Sequence, residues 1–197
     1  MARKVGEQRM SYFPVMIDLE KKHVLIIGGQ KTALRKANQM KQFGADIHII
    51  SESICEELRF DSHQIRSVQP SDITPQYDLI IAATNQKKVN AKIAQLCQKQ
   101  RILVNVVDDP ALCTFIFPAI VKQDDVIIGI SSSGNSPLLT QWIKKQIQTV
   151  LPHSLGKINA AMGTYRRQII QSVKDPARRK QLLQDKLNEW IREAKDD

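Results

Sequence analysis

Five short runs concentrate the residues able to do chemistry. The first is Ile26-Ile27-Gly28-Gly29-Gln30-Lys31-Thr32-Ala33, which follows a continuous apolar stretch from His23 and opens an amphipathic one. A dinucleotide fingerprint reads Gly-x-Gly-x-x-Gly/Ala between a buried strand and a helix. Gly28 fits its first position, the tight turn, and Ala33 its third, close helix–strand packing. Gln30 stands at the second, where backbone normally approaches the pyrophosphate. A side chain there is expected to crowd or tilt a diphosphate. The helix start still offers free N–H groups and a positive dipole end to an anion, so Gly28, Gly29, Gln30, Lys31 and Thr32 are candidate cofactor contacts. A plain Gly-Gly turn is the alternative.

The second run, Ser51-Glu52-Ser53, lies about twenty residues on, where a ribose-binding carboxylate is expected. Glu52 would repel a 2′-phosphate, and no Arg adjoins it in sequence, which favours NAD over NADP. A solvated loop is the competing reading. The third, Ala83-Thr84-Asn85, ends a strand and leaves room for a cofactor, with Thr84 or Asn85 also suited to cap the next helix. The fourth, Asn105-Val106-Val107-Asp108-Asp109-Pro110, sets two carboxylates at a strand end. One of them beside a cofactor could act as a general base, while turn chemistry explains Asp-Asp-Pro equally well. The fifth, Ser131 to Pro137, gathers Ser132, Ser133, Gly134, Asn135 and Ser136 ahead of a helix. Ser136 suits the N-cap and Pro137 the first helical position, so the loop is either a cradle for carboxylate or phosphate or a plain flexible connection.

The elements that position these runs follow from hydrophobic period. Apolar runs at 23–27, 47–50, 65–68, 77–83 and 102–107 read as strands, and helical spacing marks 32–43 and the stretch through Val89, Ile93 and Leu96. Gly44 is expected to end the first helix in a left-handed cap, Val15–Leu19 to form a lead-in strand, Ile54–Phe60 a weak helix, and residues 1–10 a loose arm. Alternating strands and helices of this length predict right-handed βαβ units and a parallel sheet. Thr114–Val121 and Val126–Ser131 read instead as a hairpin, followed by a helix over Leu138–Val150. Beyond Pro152 the chain is helical and basic, with apolar stripes at Leu155, Ile158, Met162, Tyr165 and Ile169 and at Leu183, Leu187, Trp190, Ile191 and Ala194. The expected fold is thus α/β: a Rossmann-type parallel-sheet domain over 1–112, a small hairpin-containing region over 113–150, and a helical C-terminal region over 151–197.

Composition narrows the partners. The net charge of +9 over 197 residues calls for an anionic partner. Aromatic residues make up 5% and no stacking motif appears, so nucleic acid is not expected. Three dispersed cysteines, Cys55, Cys97 and Cys113, argue against a disulfide framework or zinc site. The four histidines are spaced unlike metal ligands, and His23 and His48 read as structural. No apolar stretch approaches the roughly 20 residues of a membrane span, and the polar start is unlike a signal peptide. These features predict a cytoplasmic protein with no membrane contact.

Taken in order, the runs resemble the precorrin-2 dehydrogenase family, the dehydrogenase and chelatase module of siroheme synthases. The resemblance rests on Phe13-Pro14-Val15, Val24–Gly29, Ala33-Leu34-Arg35-Lys36, Ile81–Asn85, Asn105–Pro110, Leu112-Cys113, Phe115–Ala119 and Ser131–Pro137, and covers about residues 12–150. The Asn-Val-Val-Asp, Phe-Pro-Ala and Ser-Gly-Asn-Ser-Pro combination carries most of its specificity. It implies NAD-dependent oxidation of precorrin-2 to sirohydrochlorin, with Asp108 as the catalytic carboxylate. Asn105, Asp109 and Ser132–Ser136 would then hold the polycarboxylate substrate, and Lys31, Thr32, Glu52, Ser53, Thr84 and Asn85 would line the NAD site. It further implies a homodimer built by the hairpin region and the C-terminal helices. Some members also insert Fe²⁺, and Asp108 would be the metal-facing candidate. The family usually has glycine where this chain has Gln30. Two other readings stay open: a nucleotide-sensing module without catalysis, and a chelatase that has lost the redox step.

Overall fold

The computed structural model describes residues 12–57 and 62–196. The chain divides into two compact units, the first running to Ile116 and the second from Phe117.

The first unit is built on five parallel strands, β1 (His23–Ile27), β2 (Asp46–Ser51), β3 (Ser62–Ile65), β4 (Leu79–Ala82) and β5 (Leu103–Val106), in the order β3-β2-β1-β4-β5. The central strands are apolar throughout because both faces are covered: Val24–Ile27 and Leu79–Ala82 are buried. Helix α1 (Lys31–Lys41) follows β1 and buries Ala33, Ala37 and Met40. Helix α2 (Lys87–Gln100) follows β4 and buries Ile93, Ala94 and Cys97 in one cluster with Leu25, Ile27, Ile80 and Val104. The chain leaves β1 for β2 on one side and later returns to β4 on the other, so the strand order reverses between β1 and β4. Loops part there, which makes the carboxyl end of that pair the place for a ligand.

The second unit opens with an antiparallel hairpin, β6 (Ala119–Gln123) and β7 (Val126–Ile130). The turn between them is tight, with Asp124 in the left-handed region (φ 50°). Helices α3 (Pro137–Val150), α4 (Leu155–Ser172) and α5 (Pro176–Asp196) follow. Gly156 on α4 is required by packing, since a Cβ there would strike the Asp124 carboxylate. Tyr165 meets Trp190 edge-on at 6.3 Å between α4 and α5, which pairs the two apolar stripes. Among the described residues no helix is long and apolar enough to cross a membrane.

The architecture follows the sequence expectation, with local departures. No strand forms over Val15–Leu19: Phe13, Val15 and Met16 remain exposed, without the sheet neighbours a strand needs. β3 starts three residues before the expected run, at Ser62 rather than Ile65, because register with β2 decides its pairing. The hairpin's first strand starts only at Ala119, since Thr114 is held by β5. Gly44 does adopt φ 81°, but α1 has already ended at Lys41 with a right-handed cap residue, Gln42. Ile54 and Cys55 are irregular and lead to a turn at 56–57. The rest of the weak helix, at 58–60, and the arm at 1–10 lie outside the described residues.

Candidate dinucleotide site

The turn after β1 is shaped by two glycines that nothing larger could replace. Gly28 has φ 129°, and a Cβ on it would collide with the Ala83 carbonyl at the end of β4. A Cβ on Gly29 would collide with the Ser53 carbonyl after β2. The turn therefore threads between the ends of β4 and β2, fastened by Gly28 N–H to the Ile50 carbonyl at 3.0 Å and Cys55 N–H to the Gly29 carbonyl at 2.7 Å.

Above this turn lies a cavity of about 400 Å³. Eight of the expected cofactor residues line it: Gly28, Gly29, Gln30, Ser51, Glu52, Ser53, Thr84 and Asn85. Val68, Ile73, Val89, Ile93 and Leu96 complete it with an apolar wall. Lys31 and Thr32 are outside the lining and belong to the first turn of α1. That helix has no side-chain cap and no acidic residue in its first turn, so its N-terminal N–H groups are left for an anion. Glycines where backbone must approach, an uncapped helix, polar residues after β2 and an apolar wall together fit a dinucleotide.

Gln30 is the N-cap residue of α1, and its side chain folds across the lining, with Nε2 3.4 Å from the Ser53 hydroxyl. It therefore occupies space in the cavity beside the first turn of α1. Thr84 is pinned rather than free: its hydroxyl donates to the Asn90 side chain at 2.6 Å, and the Asn90 amide donates to the Thr84 carbonyl at 3.0 Å. Neither Thr84 nor Asn85 is the cap of α2, where Gln86 holds the N-cap position. Asn90, buried and four residues into that helix, fixes the loop instead.

Sequence adjacency failed to find Arg66. β3 runs parallel to β2, and the Arg66 N–H bonds to the Ser51 carbonyl at 2.9 Å, which brings an arginine to the cavity wall beside Glu52. Its guanidinium is already engaged. It meets both Asp72 carboxylate oxygens at 2.7 Å, Gln64 at 2.8 Å and the Ser67 carbonyl at 3.0 Å. The bond to Arg66 holds the Asp72 carboxyl below the usual carboxylate range. Glu52 accepts the Ser67 hydroxyl at 2.6 Å. The acidic side chain thus faces the site while the nearby cation is spoken for.

Asp108 and Asp109 lie beyond the end of β5 and do not line this cavity. Asp108 is exposed and holds φ 59°, a left-handed conformation that Asp tolerates better than most residues. The loop that carries it is clamped by Cys113, Thr114 and Asn105, of which only Asn105 was expected at the site. Cys113 Sγ accepts the Val106 N–H at 3.1 Å, and its thiol lies 3.3 Å from the Val106 and Asp109 carbonyls. Thr114 exchanges two bonds with Val104, at 2.7 and 2.8 Å. Asn105 is buried, and its amide donates to the Phe115 carbonyl at 3.1 Å. That bond ties the end of β5 to the segment that follows Cys113. Burial raises the Cys113 thiol and pushes Cys97 to about 12, so neither is a ready nucleophile.

In the second unit, Ser136 caps α3 by accepting the Leu139 N–H at 3.2 Å. The Ser132 hydroxyl accepts the Ser136 N–H at 3.0 Å, and Ser133 and Gly134 take positive φ. Ser132 therefore folds the loop on itself, leaving Gly134 and Asn135 outermost.

A protein family described as "Putative NAD(P)-binding" matches residues 15–119. The chain belongs to that family. Siroheme synthases are similar to it: that of Zymomonas mobilis is 37% identical over 174 residues, 84% of this chain and 37% of the relative. That of Baumannia cicadellinicola is 33% identical over 184 residues, 91% of this chain and 40% of the relative. The chain thus spans about two fifths of the length of these relatives or less. Among solved structures, SirC, a precorrin-2 dehydrogenase, superposes with a TM-score of 0.73 at 23% identity, over 94% of this chain and all of the other. That likeness establishes the shared fold.

Proposed function

We propose that this protein oxidises precorrin-2 to sirohydrochlorin with NAD⁺ as acceptor. The observation that carries the reading is the cavity at the β1/β4 reversal, with Glu52 at its ribose end, in a chain whose relatives are siroheme synthases. When bound, NAD⁺ supplies the hydride acceptor. Gly28 and Gly29 let backbone close on the diphosphate, the first turn of α1 donates N–H groups to it, and Glu52 with Ser51 and Ser53 takes the ribose. Asp108 receives the proton that the macrocycle loses as hydride leaves, so that two electrons and one proton are accounted for. Its exposure on a loop clamped by Cys113 supports this role, because a substrate can reach a carboxylate held in place. The Ser133–Ser136 loop offers hydroxyl and N–H contacts to substrate carboxylates, with Ser132 shaping the loop, and the net charge of +9 draws in such an anion. Asp109 is the further substrate-binding candidate beside Asp108.

A homodimer belongs to the same reading. Leu138, Leu139 and Trp142 stand exposed on α3, Leu138 at 84%, and a second copy is the expected cover. A cytoplasmic setting suits three free cysteines. The reading takes no nucleic acid or membrane as partner. The test is an anaerobic absorbance assay with precorrin-2, with and without NAD⁺, alongside an active control enzyme. Appearance of the sirohydrochlorin spectrum only with NAD⁺ supports the enzyme. Its absence in folded protein refutes it, and metal insertion into supplied sirohydrochlorin would then separate a chelatase from a nucleotide sensor.

A further inference from the structure

The strands that deliver the dinucleotide loops at one end of the sheet gather a different cluster at the other. His23 begins β1 and pairs in register with Asp46 at the start of β2. His48 lies two residues along β2, hence on the same face as Asp46. His23 Nδ1 is 2.9 Å and His48 Nε2 3.1 Å from one Asp46 carboxylate oxygen. One ligand atom from each of the three residues lies within 4.8 Å of the other two. The sequence expectation that the histidines do not cluster is therefore corrected: positions 23 and 48 meet through parallel pairing.

We propose that His23, Asp46 and His48 form a binding site for a divalent transition-metal ion of the zinc class. Two imidazoles and a carboxylate are a common three-ligand set for such ions, and they leave a fourth position to water. Ligands on a tetrahedral ion about 2.0–2.1 Å away stand about 3.4 Å apart. The two nitrogen–oxygen separations need to open by only a few tenths of an ångström. The rings are already oriented. His48 Nδ1 is 2.8 Å from the Ser62 hydroxyl on β3, and its ring packs edge-on against Tyr77 at 5.6 Å and His23 at 5.7 Å. Ser62 can accept from Nδ1–H, the tautomer that frees Nε2 for a metal. The nearby Lys22 ammonium is taken by Asp78 at 3.2 Å. The site is half exposed, so an ion can reach it directly. It lies about five residues, or roughly 15 Å, along β1 from Gly28, and is independent of the dinucleotide reading.

The experiment uses the full chain without an affinity tag, stripped of metal by a chelator and dialysed. Calorimetric titration with Zn²⁺ should show one ion per chain with micromolar or tighter affinity, and Co²⁺ should give the intense visible bands of low-symmetry coordination. His23→Ala, His48→Ala and Asp46→Asn should each weaken Zn²⁺ by about ten-fold or more, and Ser62→Ala by a smaller factor. His63→Ala, on the opposite face of β3, serves as control. NADH binding and melting temperature report whether each variant is folded. Millimolar Zn²⁺ affinity in the unaltered protein would overturn the site, as would undiminished affinity in folded His23→Ala and His48→Ala proteins.

Discussion

The side chains around the ribose end of the cavity make nucleotide choice a sharp test. A 2′-phosphate brings about 1.5 to 2 negative charges near Glu52. At about 6 Å and an effective dielectric of about 40, each unit pair repels by roughly 1.4 kcal/mol, and salt with a Debye length of about 8 Å halves the effect. The penalty on NADP is then about 1–1.5 kcal/mol, close to ten-fold in affinity. Arg66 would normally offset it, but four of its five N–H donors are spent on Asp72, Gln64 and Ser67. NADH should accordingly bind about ten-fold more tightly than NADPH. Glu52→Gln should remove most of that gap. Adding Asp72→Ala should release Arg66 to a phosphate and reverse the preference. Fluorescence titrations of NADH and NADPH at fixed ionic strength measure both constants in each variant. A double variant that keeps the original ratio while still binding NADH would refute the account, as would an unaltered protein that prefers NADPH.

Gln30→Gly should tighten NADH several-fold if the Gln30 side chain crowds the phosphates, at a cost to the cap of only a few tenths of a kcal/mol; unchanged or weaker binding in the same titration means crowding is the wrong explanation. Asp108→Asn should abolish precorrin-2 turnover with the melting temperature retained. Asp108→Gly should be equally inactive yet more stable by about 1 kcal/mol in urea unfolding, because glycine takes the left-handed backbone at no steric cost. Burial pushes the Lys36 ammonium down to about 8 from 10.5. The folded state therefore resists protonation that the unfolded chain accepts, and the cost is fully present below about pH 8 and fades as pH rises to 10.5. Lys36→Met should gain about 1–2 kcal/mol at pH 7, discounted for partial exposure, and lose that gain by pH 10.5; parallel stability curves for the two proteins would exclude this.

The parts of this molecule that could be read along the chain are those whose physics is local. A buried apolar run stopping at Gly28-Gly29 announces a strand and a tight turn, because only glycine fits between the Ala83 and Ser53 carbonyls. Ser136-Pro137 announces a helix start for an equally local reason. What escaped was made by pairing. Arg66 reaches the cavity only because β3 lies parallel to β2 in one particular register, and a search for arginine next to Glu52 could not meet it. Val15–Leu19 failed in the opposite sense: its composition suits a strand, but a strand requires neighbours and this segment has none.

The same pairing explains why one sheet offers two dissimilar sites. Parallel strands present all their carboxyl ends on one side, where glycines and helix starts collect free N–H groups and so favour an anion. Their amino ends lie together on the other side, where the edge is open to polar side chains such as His23, Asp46 and His48. A one-residue slip between β1 and β2 would turn Asp46 and His48 onto the face that now buries Ile47 and Ile49. The register that buries Ile26 and Ile49 is thus the one that sets His23 against Asp46 and the Gly29 turn against Ser53. Core packing therefore fixes both ends at once, and a substitution that shifts β2 should disturb nucleotide and metal binding together, whereas changes to the side chains at either end should leave the other intact.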